Sequence, residues 1–224
     1  VRPDEFIPVA EECGMIRALG AWVLEHACLQ GKRWLDEGIG PLRIAVNVSG
    51  VELQDAYFLQ HVRHALSRSG LPPNLLELEI TETVLVSEAD AGIGMLAELA
   101  AMGIRIAIDD FGVGYSSMSY LGKLPAASLK IDKSFVASLI ERREDASIVG
   151  AIIALGRSLN LEVIAEGIET EGQLGSLTAL RCALGQGFHI APPVPAEEIP
   201  AFVGVRNRGF GRRMPAQLQM IVGA

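Results

Sequence analysis

Asn47, Glu79, Glu82, Asp109, Asp110, Lys130, Asp132, Glu166, Glu169 and Gln186 share one property. Each stands at or just past the C-terminal end of a short apolar run. Carboxylates brought together in this number cannot all ionise unless cations join them. A donor set of Asp, Glu and an Asn carbonyl suits hard divalent ions, Mg2+ or Mn2+, and the lack of His or Cys in it argues against zinc. Adjacent aspartates suit two ions about 3.5–4 Å apart, because one carboxylate can bridge both, and such a pair holds a phosphodiester and generates hydroxide for in-line attack. Lys130 adds a positive charge that can steady an attacking water or a phosphate oxygen. Taken singly, each residue has an ordinary reading. Asp109-Asp110 ahead of Gly112 caps a turn. Glu79 and Glu82 face outward from a strand, Lys130 is a solvated edge lysine, and the acids of "AEGIE" sit at a helix N-terminus. Convergence of all of them at strand ends reverses these readings.

Convergence requires parallel strands. Six β-branched runs supply them: 42–49, 75–83, 105–111, 128–135, 161–168 and 182–188. They are rich in Ile, Val and Leu, as strands buried on both faces are. Helical patterns separate them at about 15–38, 57–70, 87–103, 145–160 and 170–181, with Ser87 and Thr170 as N-caps and Gly103 as a stop. Strand and helix in alternation predict an α/β fold with a parallel sheet, whose strand ends gather on one face. Six units fall short of a complete eight-stranded barrel. The run "VRNRGFGRRMPAQLQMIVGA" changes character and is read as an extension, residues 205–224, beyond a domain at 1–204.

Bulk properties narrow the partners. The 224 residues, half of them hydrophobic, suffice for one core. A net charge of −8 argues against non-specific DNA or RNA binding but admits an anionic ligand neutralised locally. Three scattered cysteines predict a reduced, cytoplasmic setting. The longest apolar run, "IVGAIIALG", is too short to span a bilayer, and "VRPDEF" has neither a signal-peptide pattern nor an initiator Met, so the chain reads as part of a longer protein. His61 and His64, one helix turn apart, read as a surface or groove pair, His26 and His189 likewise, and Trp22 and Trp34 as helix packing.

The order of motifs resembles the EAL domain, the bacterial phosphodiesterase family that hydrolyses cyclic di-GMP. "FIPVAEECGMI", "NVS", "ELEITE", "DDFGVGYSSMSYL", "LKIDKSFV", "VIAEGIET" and "GQGFHIAPPVPAEE" occur in family order over residues 3 to 203. The resemblance implies a (β/α)8, TIM-like barrel. It makes Asn47, Glu79 and Asp109 metal ligands, with Asp109 bridging. Asp110 holds the second metal or its water. Lys130 contacts the catalytic water, and Glu166 is general base or second-metal contact. Glu82 anchors the loop Phe111 to Tyr120, which couples the site to a homodimer interface. Asp132, Glu169 and Gln186 match further positions around the substrate. The implied product is linear pGpG, and upstream regulatory domains are implied partners.

Departures from the family pattern are local at two positions: Val113 replaces a threonine, and Phe188 a tyrosine. A larger one is the Glu-Ala-Leu that names the family, with the arginine after it. Both belong upstream of "VRPDEF", which predicts a barrel without its first two strands, one metal-contacting glutamate and one substrate-contacting arginine. That absence keeps open a rival of another class, a non-catalytic domain that binds cyclic di-GMP or a protein partner.

Overall fold

A computed structural model describes residues 1–87, 91–114, 121–203 and 222–223. Two helices lead in, α1 (Pro3–Glu12) and α2 (Ile16–Asp36). The sheet strands are β1 (Ile44–Asn47), β2 (Leu76–Thr81), β3 (Arg105–Phe111), β4 (Ser128–Ile131), β5 (Glu162–Ala165), β6 (Leu184–Gly185) and β7 (Val222–Gly223). Between them lie α3 (Gly50–Leu53), α4 (Phe58–Ser69), α5 (Glu82–Ser87), α6 (Ala91–Ala101), α7 (Lys133–Ala137), α8 (Arg143–Ser158) and α9 (Glu171–Ala179). All described strand pairs are parallel, in the order β6-β5-β4-β3-β2-β1-β7. Among the described residues the sheet is open, with β6 and β7 at its edges: a part-barrel with helices on its outer side. All six expected strands are present, each shorter than or equal to its apolar run.

Strand parity explains the fold's chemistry. Successive side chains point to opposite faces. Ile44, Val46, Leu76, Leu78, Ile80, Ile106, Ile108, Leu129, Ile131 and Val163 lie on one face and join a single apolar cluster with the helices. The other parity carries Asn47, Glu77, Glu79, Asp109, Ser128, Lys130 and Glu162. The strands are therefore not apolar on both faces, as their composition suggested; the inner face is polar.

Several boundaries move for identifiable reasons. The fourth run stops at Ile131 because Asp132 turns the chain into α7, its side chain accepting from the Ser134 backbone N–H at 2.9 Å and from the Ser134 hydroxyl. The helix expected from Ser87 begins at Ala91 instead, because Ser87 is the last residue of α5 and so does not serve as its N-cap. Gly103 does stop α6, at φ +91, and Thr170 caps α9 in a reciprocal box with Gln173. Trp34 is buried, but Trp22 is exposed and stacks on His26 with ring centroids 4.1 Å apart. Helix packing holds for the first and not the second. Residues 204–221, most of the expected extension, lie outside the described ones.

Candidate active site

The C-terminal strand ends bring Glu79, Asp109, Lys130 and Glu166 into one cluster. Lys130 is 4% exposed along its side chain, and its Nζ donates to Glu79 Oε2 at 2.7 Å, to Glu166 Oε1 at 2.7 Å and to Asp109 Oδ1 at 3.2 Å. Three carboxylates share one ammonium, so the layer is short of positive charge. Burial works against the Lys130 cation, but the attraction of Glu79, Glu166 and Asp109 outweighs it and holds the lysine protonated well above its ordinary range. Glu79 responds in the opposite sense. Burial pushes its carboxyl up to about 7 despite Lys130 beside it. Burial also raises Glu166, again against the opposing pull of Lys130.

Asp109 and Asp110 are consecutive, so in a regular strand they would face opposite sides of the sheet. The pairing of β3 with β4 shifts between Ile108 and Phe111: Ile108 pairs with Leu129 and Phe111 with Ile131. Three steps on β3 oppose two on β4, which is a bulge. Asp110 takes φ 53, a left-handed conformation uncommon for a residue with a side chain. The bulge turns both carboxylates to one place, where Asp109, Asp110 and Glu166 offer ligand oxygens within 4.8 Å of one another. Burial, then Asp109 and Asp132 nearby, raise the Asp110 carboxyl. Asp132 is itself held down, because the Ser134 bonds outweigh its burial.

These residues fit a hard divalent cation. The donors are carboxylate oxygens, and Glu79 Oε1 is buried with no hydrogen-bond partner among the described residues. Asn47 ends β1 directly beside Glu79 in register. The metal-free protein should therefore lose stability as pH rises from about 4.5 to about 7. The folded state keeps the Glu79 proton up to about 7, whereas the unfolded chain releases it near 4.5, so folding binds protons across that window. Thermal unfolding in chelator over this range measures it. A melting temperature that climbs steadily through the window contradicts the assignment.

Glu82 takes no part in the cluster. Its Oε2 accepts from the Gly112 backbone N–H at 2.8 Å, which fixes the start of the loop after Phe111. Gly112 has φ +104, and a Cβ there would lie 2.8 Å from the Phe135 ring. Gly112→Ala is expected to cost about 1–3 kcal/mol, read from the urea midpoint, with an unchanged midpoint as the contrary result. Residues 115–120 of this loop, on which the expected dimer contact falls, lie outside the described ones. Glu169 and Gln186 sit exposed at the rim. Among the described residues their side chains make no ion pair or hydrogen bond with the cluster; Gln186 instead extends the β5–β6 pairing, its N–H donating to Ala165 O at 2.8 Å. His61 lines a small cleft between α2 and α4 with Arg17, Glu52 and Asp55.

Sequence reading missed a second polar layer at the N-terminal end of the strands. Arg43 and Arg105 bracket Glu77 and Glu162, and the Ser128 hydroxyl donates to Glu77 at 3.2 Å. Glu77 lies two residues before Glu79 and so on the same strand face, a parity signal present in "ELEITE". Two guanidinium groups meet two carboxylates, so this layer is neutral, in contrast to the strand-end cluster. Among the described residues no helix is long and apolar enough to cross a membrane.

Comparison with known proteins gives the same picture. The family model for the EAL domain matches residues 1–193. The bifunctional diguanylate cyclase/cyclic di-GMP phosphodiesterase MucR of Pseudomonas aeruginosa is 48% identical over 203 residues, covering 91% of this chain and 30% of that protein. The cyclic di-GMP phosphodiesterase NbdA of the same organism is 42% identical over 201 residues, covering 90% of this chain and 26% of its own. The chain thus spans less than a third of the length of either relative. The solved PaMucR phosphodiesterase in complex with c-di-GMP superposes with a TM-score of 0.86 at 48% identity, covering 89% of this chain and 81% of that one. The EAL domain of Mycobacterium smegmatis DcpA gives 0.78 at 40% identity, covering 83% and 84%. With the motifs, the parallel strand order and the family model in agreement, this chain belongs to the EAL domain family.

Proposed function

We propose that the site hydrolyses cyclic di-GMP to linear pGpG with Mg2+ or Mn2+. One observation carries the reading: three carboxylates, Glu79, Asp109 and Glu166, converge on a single buried lysine, with Asp110 turned in beside them by a bulge. The names of MucR and NbdA, and the cyclic di-GMP bound in the MucR structure, support the same substrate. Retention of the carboxylates favours an enzyme over a binding module.

In this reading Asn47, Glu79, Asp109 and Asp110 would hold the divalent cations, with Glu166 beside them. When bound, the ions supply Lewis acidity toward the phosphodiester and lower the pKa of water. Lys130 stays charged and orients the attacking water or offsets charge developing on a phosphate oxygen. Glu166 accepts from Lys130 through Oε1, and its other oxygen serves either as general base for the attacking water or as a contact to the second cation. Asp132 steadies Asp110, while Glu169 and Gln186 line the side on which the nucleotide enters. Glu82 and Gly112 hold the loop through which a homodimer contact reaches the site. The division into a domain at 1–204 and an extension at 205–224 belongs to this proposal, as do regulatory domains upstream.

The test is direct. The full-length protein that carries this domain, supplied with Mn2+, is expected to convert cyclic di-GMP to pGpG, and excess EDTA to stop it. Intact substrate after prolonged incubation in saturating Mn2+ refutes the reading.

A further inference from the structure

The neutral layer at the N-terminal strand ends has no role in the chemistry above, yet it is built from five successive segments of the sheet. Arg43, just before β1, donates through Nη1 to Glu162 Oε2 at 2.8 Å and to Glu77 Oε2 at 3.3 Å. Arg105 on β3 donates through Nε to Glu77 Oε2 at 3.0 Å and through Nη2 to Glu162 Oε2 at 2.7 Å. Ser128 on β4 completes it. Each member precedes a strand-end residue by an even number of steps: Arg43 and Asn47, Glu77 and Glu79, Arg105 and Asp109, Ser128 and Lys130, Glu162 and Glu166. Even spacing puts each pair on one strand face, roughly 7 or 13 Å apart at about 3.3 Å per residue.

A slip of two residues keeps a strand's apolar face toward the helices, so the outer face alone does not choose between such staggers. Directional bonds among charged groups do choose, and buried ionic groups are best attested as register devices. Glu77 is fully buried and receives three donors on one oxygen, so sliding any one of these strands breaks a charge-assisted bond.

We propose that Arg43, Glu77, Arg105, Ser128 and Glu162 are positioning residues for the metal site: they lock the stagger of β1 to β5 and so the spacing of the ligands at the opposite end. The proposal rests on the strand-end cluster binding divalent cations, and its readout is metal affinity rather than turnover. Glu77→Gln keeps the shape and removes the charge. By calorimetric titration with Mn2+, the folded variant is expected to bind about tenfold more weakly than the parent, the size seen when groups behind metal ligands are altered. Ser128→Ala, which loses only one bond and is the fallback if Glu77→Gln does not fold, should weaken binding by a few-fold on the same scale. Ile153→Ala in α8 destabilises the outer-face packing without touching either layer, and should leave Mn2+ affinity unchanged. Unaltered affinity in a folded Glu77→Gln or Ser128→Ala, or an equal loss in Ile153→Ala, overturns the proposal. Mn2+ binding without hydrolysis would defeat the catalytic reading and leave this one standing; no Mn2+ binding by the parent defeats both.

Discussion

Asp109→Asn is expected to lower cyclic di-GMP hydrolysis by on the order of 10³ while leaving the protein folded. The asparagine has nearly the same shape. Its side-chain oxygen can still accept from the Asp110 backbone N–H, the 3.0 Å bond that supports the bulge. What disappears is the negative charge facing Lys130, Asp110 and Glu166, and with it the only proposed group placed to bridge two cations. Activity and circular dichroism on the same preparation separate the two effects. A folded Asp109→Asn that retains most of its turnover contradicts the bridging role.

Lys130→Met is expected to be the most destabilising single change at the site, by about 3–5 kcal/mol in the metal-free protein. Methionine fills much the same volume, so packing survives. Glu79, Asp109 and Glu166 would then face one another with no cation between them, at side-chain exposures of 3%, 11% and 19%. They would retreat by taking up protons or by moving apart. Divalent metal should restore much of the lost stability, because it supplies the missing charge where the lysine did. Hydrolysis should not return with it, since Lys130 also orients the water. Thermal unfolding with and without Mn2+ measures this; a loss of stability that Mn2+ leaves untouched contradicts the charge argument.

The strands and most of the strand-end residues were legible in the sequence, for a physical reason. Parallel strands need apolar side chains against their helices, so Ile106, Ile108, Leu129 and Ile131 announce themselves by composition, and the polar residue that ends each run is conspicuous. Two things were not legible. The bulge at Asp109-Asp110 depends on one strand outpacing its neighbour, which no single-strand pattern carries. Arg43, Arg105 and Glu162 meet only because register brings them level, 34 and 119 residues apart along the chain in the case of Arg43 with Glu77 and with Glu162. Glu82 shows what the family resemblance added: its spacing from Glu79 groups it with the cluster, but the resemblance assigned it to the loop after Phe111, and it accepts there from the Gly112 backbone N–H. Trp22 shows the converse limit. Its helical spacing suits packing, yet Trp22 lies off the face of α2 that buries Leu24, Ala27, Cys28 and Trp34.

The shortage of positive charge at the strand ends is the central claim, and metal stoichiometry tests it most directly. Calorimetric titration of the chelator-treated full-length protein that carries this domain with Mn2+ at pH above 7 should give two ions bound per chain, with protons released as pH is lowered toward the Glu79 value of about 7. Asp109→Asn should lose the paired binding. A wild-type protein that takes up no Mn2+, or binds it equally well without Asp109, contradicts the account.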